Sequence, residues 1–577
     1  MRFRTLALSL LCSALSLPAA QPDAVFDALQ AEMKRAMTLR LNQLDKPYYI
    51  NYSVDDQNAW SASASLGGLT SSNTSVYRVP NIHIRVGDYK FDNTNWTGAG
   101  ASGPRYDLRS FPLEDDPLVM RQYFWLATDS IFKGSLQSIA RKRAALQNVT
   151  VTDVLPDFAA AKPFVLIQDY TPVKFDQPAW AEKTRRVSAT FQEFPGVRSS
   201  GAQFTAIDAL HRFVTTEGTQ IRQQQTAGIF EVRANAQAPD GMIVRDLGIA
   251  YTRNIKDMFP EAELVKTARA IAEQVVKLAA APLGDSYTGP VLFEGVASAQ
   301  LMAEVLGRNL YISRKPVSAP GSASQAVASD LEGRRGVRIM PEIFNVVDDP
   351  TLPLFGHEDV DDEGVPAHPL PLVEKGVLKD FLRTRLPVRG YSESNGHGRI
   401  AGSFGAQTPV PTNLIINATE TSSIPELRKK LLDLIQQRGL PYGMIVRKMD
   451  FPSSASIEEA RKLLSSAGAG GSSRPVSLPL YTYRLYLDGH EELVRGERFR
   501  GISARSLKDI LAAGDDSVTF NYLENGAPFA LIGFGSSSAE VSVVAPSVLI
   551  DDLEMSKIDD ELPKLPIVSS PLTASAR

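Results

Sequence analysis

The stretch "LFEGVASAQLMAEVLGRNLYIS", Leu292 to Ser313, decides how the second half of this chain is read. A short apolar run ends at Gly295, and Ala299, Met302, Val305 and Leu306 then recur at helical spacing. The pattern predicts a buried strand, a turn at Gly295 and a helix with its apolar side inward. Glu304, between Ala303 and the nearby Arg308, is a charge set into a helix otherwise suited to a core. What that charge is for depends on the rest of the chain.

With 577 residues the chain exceeds what one hydrophobic core usually serves, so two substantial domains are expected. Lys and Arg total 61 against 65 for Asp and Glu, a net charge of −4. No basic field exists to gather a polyanion, so no nucleic-acid partner is expected. The opening "MRFRTLALSLLCSALSLPAA" sets Arg2 and Arg4 before an apolar run and ends in Ala19 and Ala20, the form of an export signal. Acylation at Cys12 is disfavoured by the bulky Leu11 before it. A cleaved signal over 1–20 and a periplasmic or secreted protein from about Gln21 are therefore expected. No later stretch reaches the roughly 20 apolar residues that a membrane span requires. Cys12 is the only cysteine, so the remainder has no disulfide, thiol nucleophile or thiolate ligand.

The fold class expected is α+β, with an N-terminal helix-and-sheet domain over 21–285 and a β-rich C-terminal domain over 286–577. In the first half, "DAVFDALQAEMKRAMTLRL" spaces Val25, Leu29, Met33 and Met37 on one helical face. "DDPLVMRQYFWLATDSIFKGSLQSIARKRAALQ" reads as a strongly amphipathic helix, and "PEAELVKTARAIAEQVVKLAAAPLG" as a third, opened by Pro260. Strands are expected in "YYINYSV", "SVYRVPNIHIRVGDYKF", "GIFEVRANAQ" and "RDLGIAYTRN". The boundary falls in Ala281–Pro290, where the third helix stops at turn residues. In the second half, Ser423 and Glu426 form a capping box for a helix that Gly439 ends. Hairpins are expected around Gly376 and Gly489, and short strands at "GVRIM", "NLIINA", "GMIVRKM" and "SVVAPSVLIDDLEM". Ser318–Asp330 and Ser465–Pro475 read as loops.

The chemistry-bearing residues are sparse. No two of the six histidines, His83, His211, His357, His368, His397 and His490, lie at the spacing by which a helix presents two imidazoles to zinc. "GHEDVDDEGVPAHPLPL" gathers His357, Glu358, Asp359, Asp361, Asp362, Glu363 and His368, but in no loop pattern of known mechanism, and a solvated acidic turn ending at Gly364 is the expectation. "GFGSSS" from Gly533 and "GSFGAQ" from Gly402 lack the form of a nucleophile elbow and read as turns. In "SNGHGR", Ser394 to Arg399, the glycines permit close approach of a ligand and Arg399 suits a peptide carboxylate, while a glycine-rich hairpin with an exposed His397 is the plainer reading.

Taken together, "VVDDPTL", "VDDEGVPAHPLPLVEKGVLKDFLRTR", "SNGHGR" and "PTNLII" resemble consecutive blocks of the TldD/TldE (PmbA, peptidase U62) family of bacterial metallopeptidases. The resemblance covers most of Thr288–Asp552 and is weaker in the first half. It implies a two-domain layout and a peptide substrate, with Asn395, Arg399 and Asn413, which lie in these blocks, as substrate-binding candidates. Catalytic members carry a helix of pattern L-L-H-E-x-x-x-H-G whose histidines bind zinc, with a later cysteine as a further ligand. "LMAEVLGRN" falls where that helix belongs: the first histidine is matched by Ala303, the glutamate by Glu304 and the second histidine by Arg308. The only catalytic candidate left is Glu304, and no residue remains to be named as a metal ligand.

Zinc polarises a scissile carbonyl and acidifies its water, and a glutamate alone does neither. The resemblance therefore implies a member of the family without the zinc cofactor of its catalytic relatives. Glu304 and Arg308 are expected to pair with each other for a few tenths of a kcal/mol. Histidines five residues apart lie about 140° apart on an ideal helix, so joint ligation in the relatives requires a local bulge. Because the family includes metal-free TldE-type chains that assemble with TldD-type ones, a non-catalytic subunit is expected, dimeric with itself or with a catalytic relative. Two other readings stay open: an active peptidase with a metal set drawn from His357, His368, His397 and the acidic loop, and a stand-alone peptide-binding protein. The family's older description as a modulator of DNA gyrase finds no support in an acidic chain with an export signal.

Overall fold

Two long hairpins form the frame of the N-terminal half, because strand residues of one parity are apolar and meet helices while those of the other parity are small or polar. In the computed structural model, which describes residues 22–97, 111–147, 155–317, 329–401, 407–468, 475–533, 537–558 and 568–574, that frame is a six-stranded sheet. The expected export signal with Cys12 lies outside the described residues, as do most of the two expected loops and the middles of both glycine-serine turns. In chain order the elements are α1 (Ala24–Ala36), β1 (Pro47–Ser65), β2 (Gly68–Val86), α2 (Pro117–Leu146), β3 (Val165–Ile167), α3 (Gln177–Ala189), β4 (Ser199–Thr215), β5 (Gln220–Gln237), β6 (Ile243–Thr252) and α4 (Glu261–Ala280). The sheet order is β2-β1-β4-β5-β3, with β6 also on β5.

Even-numbered residues of the central strands, among them Ile50, Tyr52, Trp60, Phe204 and Phe230, are buried beneath the helices: α1 and α2 at one end of the sheet, α3 and α4 at the other. α1 closes one residue before Met37, which is 55% exposed and not on the packed face. α2 is capped by Asp116, whose carboxylate accepts from the amides of Leu118 and Val119. It buries Met120, Phe124 and Phe132 but leaves Leu118, Trp125 and Leu126 exposed, so it is apolar on both sides and not the one-sided helix expected.

The C-terminal half continues with β7 (Tyr287–Phe293), α5 (Val296–Leu301), β8 (Phe344–Asp348), β9 (Leu370–Glu374), β10 (Val377–Leu378), β11 (Gly398–Ala401), β12 (Gln407–Pro409), β13 (Asn413–Ala418), α6 (Ile424–Arg438), β14 (Tyr442–Met449), α7 (Ile457–Gly468), β15 (Pro479–Tyr486), β16 (Glu491–Val494), β17 (Glu497–Arg500), β18 (Ile510–Ala513), β19 (Val518–Glu524), β20 (Ala539–Ala545) and β21 (Val548–Lys557). One sheet runs β16-β15-β14-β7-β21-β17 with β18 on β21, and another β10-β9-β8-β13-β20-β19. Together the two halves make the α+β architecture expected. The hairpins at Gly376 and Gly489 form, and α6 carries the Ser423–Glu426 box with Gly439 left-handed at its end. "GVRIM" forms only a single bridge at Arg338.

α5 lies between the two sheets. In β7, Val291 and Phe293 point to this inner core while Leu292 points to α6 outside, and β14 and β21 repeat the alternation with Met444 and Val446 around Ile445, and Val548 and Ile550 around Leu549. Ala297, Ala299, Leu301, Met302 and Ala303 have no exposed surface. A polar residue on so enclosed a helix must be satisfied inside the protein. Gln300 does this for a neighbouring strand end: its amide donates to the carbonyls of Met449 (3.1 Å) and Phe451 (2.6 Å) and accepts from the Met449 amide at 2.7 Å. Gln300→Leu leaves those backbone groups buried without partners, and is expected to lower unfolding free energy by about 2–4 kcal/mol in urea denaturation, with secondary structure retained. A loss under about 0.5 kcal/mol contradicts this role.

Candidate active site at the end of the buried helix

The helix begun by α5 changes pitch where the zinc motif is matched. Met302–Leu306 forms an i→i+5 turn, followed by a 3-10 turn over Gly307–Asn309. The wider turn moves residues five apart toward one side, which is the bulge that ligation through positions 303 and 308 requires. Asn309 holds the end of the segment: its amide donates to the Val305 carbonyl (2.9 Å) and its oxygen accepts from the Asp330 amide (3.0 Å).

Glu304 and Arg308 both reach the site but not as the pair expected. Arg308 makes a two-pronged contact with Glu524 at the end of β19, Nε to Oε2 at 2.8 Å and Nη2 to Oε1 at 2.7 Å, and donates to the Ala527 carbonyl at 2.9 Å. Its guanidinium also lies 5.3 Å from the centre of the Phe451 ring. Burial alone depresses a guanidinium's pKa, but Glu524 outweighs it and raises that of Arg308 above the ordinary value. Glu304 turns to Ser477, accepting from the Ser477 amide at 3.0 Å and its hydroxyl at 2.9 Å. Burial pushes the Glu304 carboxyl up to about 7, against the opposing pull of Arg308 and the Ser477 donors. Both side chains line a cavity of about 250 Å³, together with Tyr311, Thr408, Pro528 and Phe529.

A catalytic zinc takes three protein ligands from His, Cys, Asp and Glu. Here the two imidazole positions present a methyl group and a guanidinium already clamped by a carboxylate, so the donor set does not fit the ion. Among the described residues no three His, Cys, Asp or Glu side chains gather as a metal site. His397 is fully buried, with Nε2 2.9 Å from Asp348 and Nδ1 3.1 Å from Asn395, whereas His368 is exposed. His357 has Asp359 at 3.7 Å.

The three substrate-binding candidates are braced into the fold, and none lines the cavity. Asn395 accepts from the Arg383 amide (2.8 Å) and donates to the Phe381 carbonyl (2.9 Å). Arg399 donates to the carbonyls of Pro411 (2.6 Å) and Glu540 (2.8 Å) and meets Glu358 at 2.8 Å. Asn413 donates to the carbonyls of Asp349 (2.9 Å) and Leu352 (3.1 Å). The acidic block is likewise no solvated turn. Asp361 is buried, accepting from the amides of Glu363, Val365 and Gly398, and burial, with the Glu363 charge adding, raises its pKa well above the usual carboxylate range. Gly364, at φ +78°, sits where a Cβ would strike Thr219 and Phe213 of the N-terminal half, and Gln223 donates to Asp359 at 3.0 Å. The block joins the two halves. Glu524 and Ser477, the partners that decide the site, carried no spacing signal in the sequence.

The raised Glu304 value sets a pH dependence. The folded protein holds this proton up to about pH 7 while the unfolded chain releases it near 4.5, so stability is lost as pH rises through that window. Glu304→Gln is expected to remove the slope, gaining on wild type by on the order of 3 kcal/mol between pH 5 and pH 8 in paired urea titrations. Parallel pH profiles for the two proteins would show that the carboxyl is not held this way.

Residues 286–446 match the family model described as the PmbA/TldA metallopeptidase C-terminal domain. A metalloprotease of Archaeoglobus fulgidus is 37% identical over 117 residues, 19% of this chain and 27% of that protein. A metalloprotease of Methanothermobacter thermautotrophicus is 26% identical over 212 residues, 36% of this chain and 44% of that one. The chain thus spans less than half the length of these relatives. In fold it is similar to TldE of Thermococcus kodakarensis (TM-score 0.56, 13% identity, 92% of this chain and 100% of that one). It is also similar to a protein of Thermotoga maritima described as a proposed modulator of a DNA gyrase (TM-score 0.55, 17% identity, 92% and 99%).

Proposed function

Because this chain belongs to the TldD/TldE family, we propose that it is a non-catalytic subunit of the TldE kind, which shapes a peptide-binding chamber beside a metal-bearing relative. The observation that carries this reading is the Arg308–Glu524 pair at the position matched to the family's second histidine. A guanidinium there repels a metal ion, and Glu524 makes its replacement costly, since breaking a buried ion pair strands a charge. Glu304 keeps the position of the family's general base with no metal-bound water from which to take a proton. The proposal includes export from the cytoplasm, on the strength of Arg2, Arg4 and the apolar run after them.

Assembly provides the test. The purified protein is mixed with a metal-bearing TldD-type protein and weighed by light scattering coupled to size exclusion. A complex of the two chains, with chelator-sensitive peptide hydrolysis arising only when the relative is present, is the expected result. A mass unchanged by the relative, or chelator-sensitive hydrolysis by this chain alone, would overturn the reading.

A further inference from the structure

We propose that the face of the N-terminal sheet opposite α1–α4 holds a second binding site, a groove that receives the free amino terminus of a peptide on Glu231. This goes beyond the subunit role above and does not involve the Glu304 cavity. The strand register places Ser63, Gln203 and Glu231 in one row across β1, β4 and β5, and Ser199, Asn235 and Arg245 in another across β4, β5 and β6, with Arg233 between the rows. These odd-numbered positions lie opposite the helices that cover the even-numbered ones. Ser454 of the C-terminal half forms a further wall, and the enclosed space is about 410 Å³.

Glu231 is the unsatisfied member of this surface. Its side chain is 15% exposed, its one ion contact is Arg233 at 3.6 Å, and among the described residues it accepts no hydrogen bond. Burial raises its pKa, with Arg233 only partly compensating. A carboxylate in such a setting is best met by a ligand cation that brings its own N–H donors. The remaining chemistry narrows the ligand. Among the described residues no aromatic ring lines the groove, which removes the stacking platform that sugars and quaternary ammonium groups use. Asp246, the other carboxylate of the lining, is held by Lys448 and Tyr481, and Arg245 is paired with Asp450 and Glu459, so Glu231 is the acidic group left for a ligand and Arg233 beside it repels a second positive charge, which disfavours polyamines. The Ser63 and Ser199 hydroxyls and the Asn235 amide, uncommitted among the described residues, suit peptide amides, and the 62%-exposed Arg233 suits a carbonyl or carboxylate further along. One ammonium followed by amides is a peptide amino end.

Calorimetric titration with tetra-alanine and with its N-acetylated form, on wild type and Glu231→Gln, tests the site. Tetra-alanine is expected to bind wild type, with affinity falling at least about tenfold on N-acetylation and by a similar factor in Glu231→Gln. The melting temperature of Glu231→Gln is expected to equal or exceed that of wild type, because the substitution removes a buried charge without a hydrogen bond. Absence of binding, binding indifferent to acetylation or to the substitution, or a Glu231→Gln protein that melts markedly lower would each overturn the proposal. None of these outcomes bears on assembly with the catalytic relative.

Discussion

The helix over Val296–Asn309 is enclosed by two sheets, so every polar atom it carries has to be paired within the protein. That constraint explains its unusual mix of residues. Ser298 donates to the Pro546 carbonyl at 2.6 Å, Gln300 secures the end of β14, and Asn309 fastens the chain to Asp330. Arg308 and Glu304 come with partners from β19 and from the approach to β15. Removing one member of a buried ion pair typically costs 3–5 kcal/mol, whereas replacing both by apolar groups is often neutral. The two positions matched to the family's imidazoles are accordingly not empty: one holds the Ala303 methyl group and the other a guanidinium satisfied by the Glu524 carboxylate.

The i→i+5 turn at Met302–Leu306 fits the same account. In a helix whose inner residues have no exposed surface, a change of pitch shifts a whole wall of packed side chains, and interiors this dense do not absorb such shifts freely. Gly307 shows how close the packing is, since a Cβ there would lie 3.3 Å from Leu414. The backbone of the site can thus persist while its side-chain chemistry changes. The N-terminal half works differently. One face of its sheet is sealed by four helices, and the other carries polar side chains that approach the C-terminal half through Gln223, Arg245 and the buried acidic block.

Much of this was legible in the sequence, and the omissions have physical causes. The strand, the Gly295 turn and the helix after Leu292 were readable because each side of the strand is apolar and the helix keeps its period. α4, the capped α6 and the two glycine hairpins rest on local chemistry that the sequence states outright. The middles of β1 and β2 were missed, since "DDQNAWSAS" is mostly small or polar on both faces and "TSSNTS" is polar and largely exposed, so neither gives a hydrophobic period. α3 was missed as well, since it buries only Thr184, Val187 and Ser188, and so was β4, whose buried residues include the small Ala202 and Ala206. Asp361 and His397 were read as solvent-facing, and Arg399 as facing a peptide, because polarity alone does not reveal burial; each is buried on partners distant in sequence. Glu524 illustrates the limit: it lies 216 residues from Arg308, and no spacing rule connects them.

A guanidinium–carboxylate pair stands at the position matched to the second zinc-binding histidine of the family's catalytic members. Whether it excludes the ion is read by measuring bound zinc and thermal unfolding on one preparation, loaded with zinc, dialysed, and divided with and without chelator. Less than about a tenth of an equivalent of retained zinc and coincident unfolding curves are expected, because a ligand that does not bind the native state cannot stabilise it. One retained equivalent, with an unfolding midpoint that falls on chelation, would contradict it.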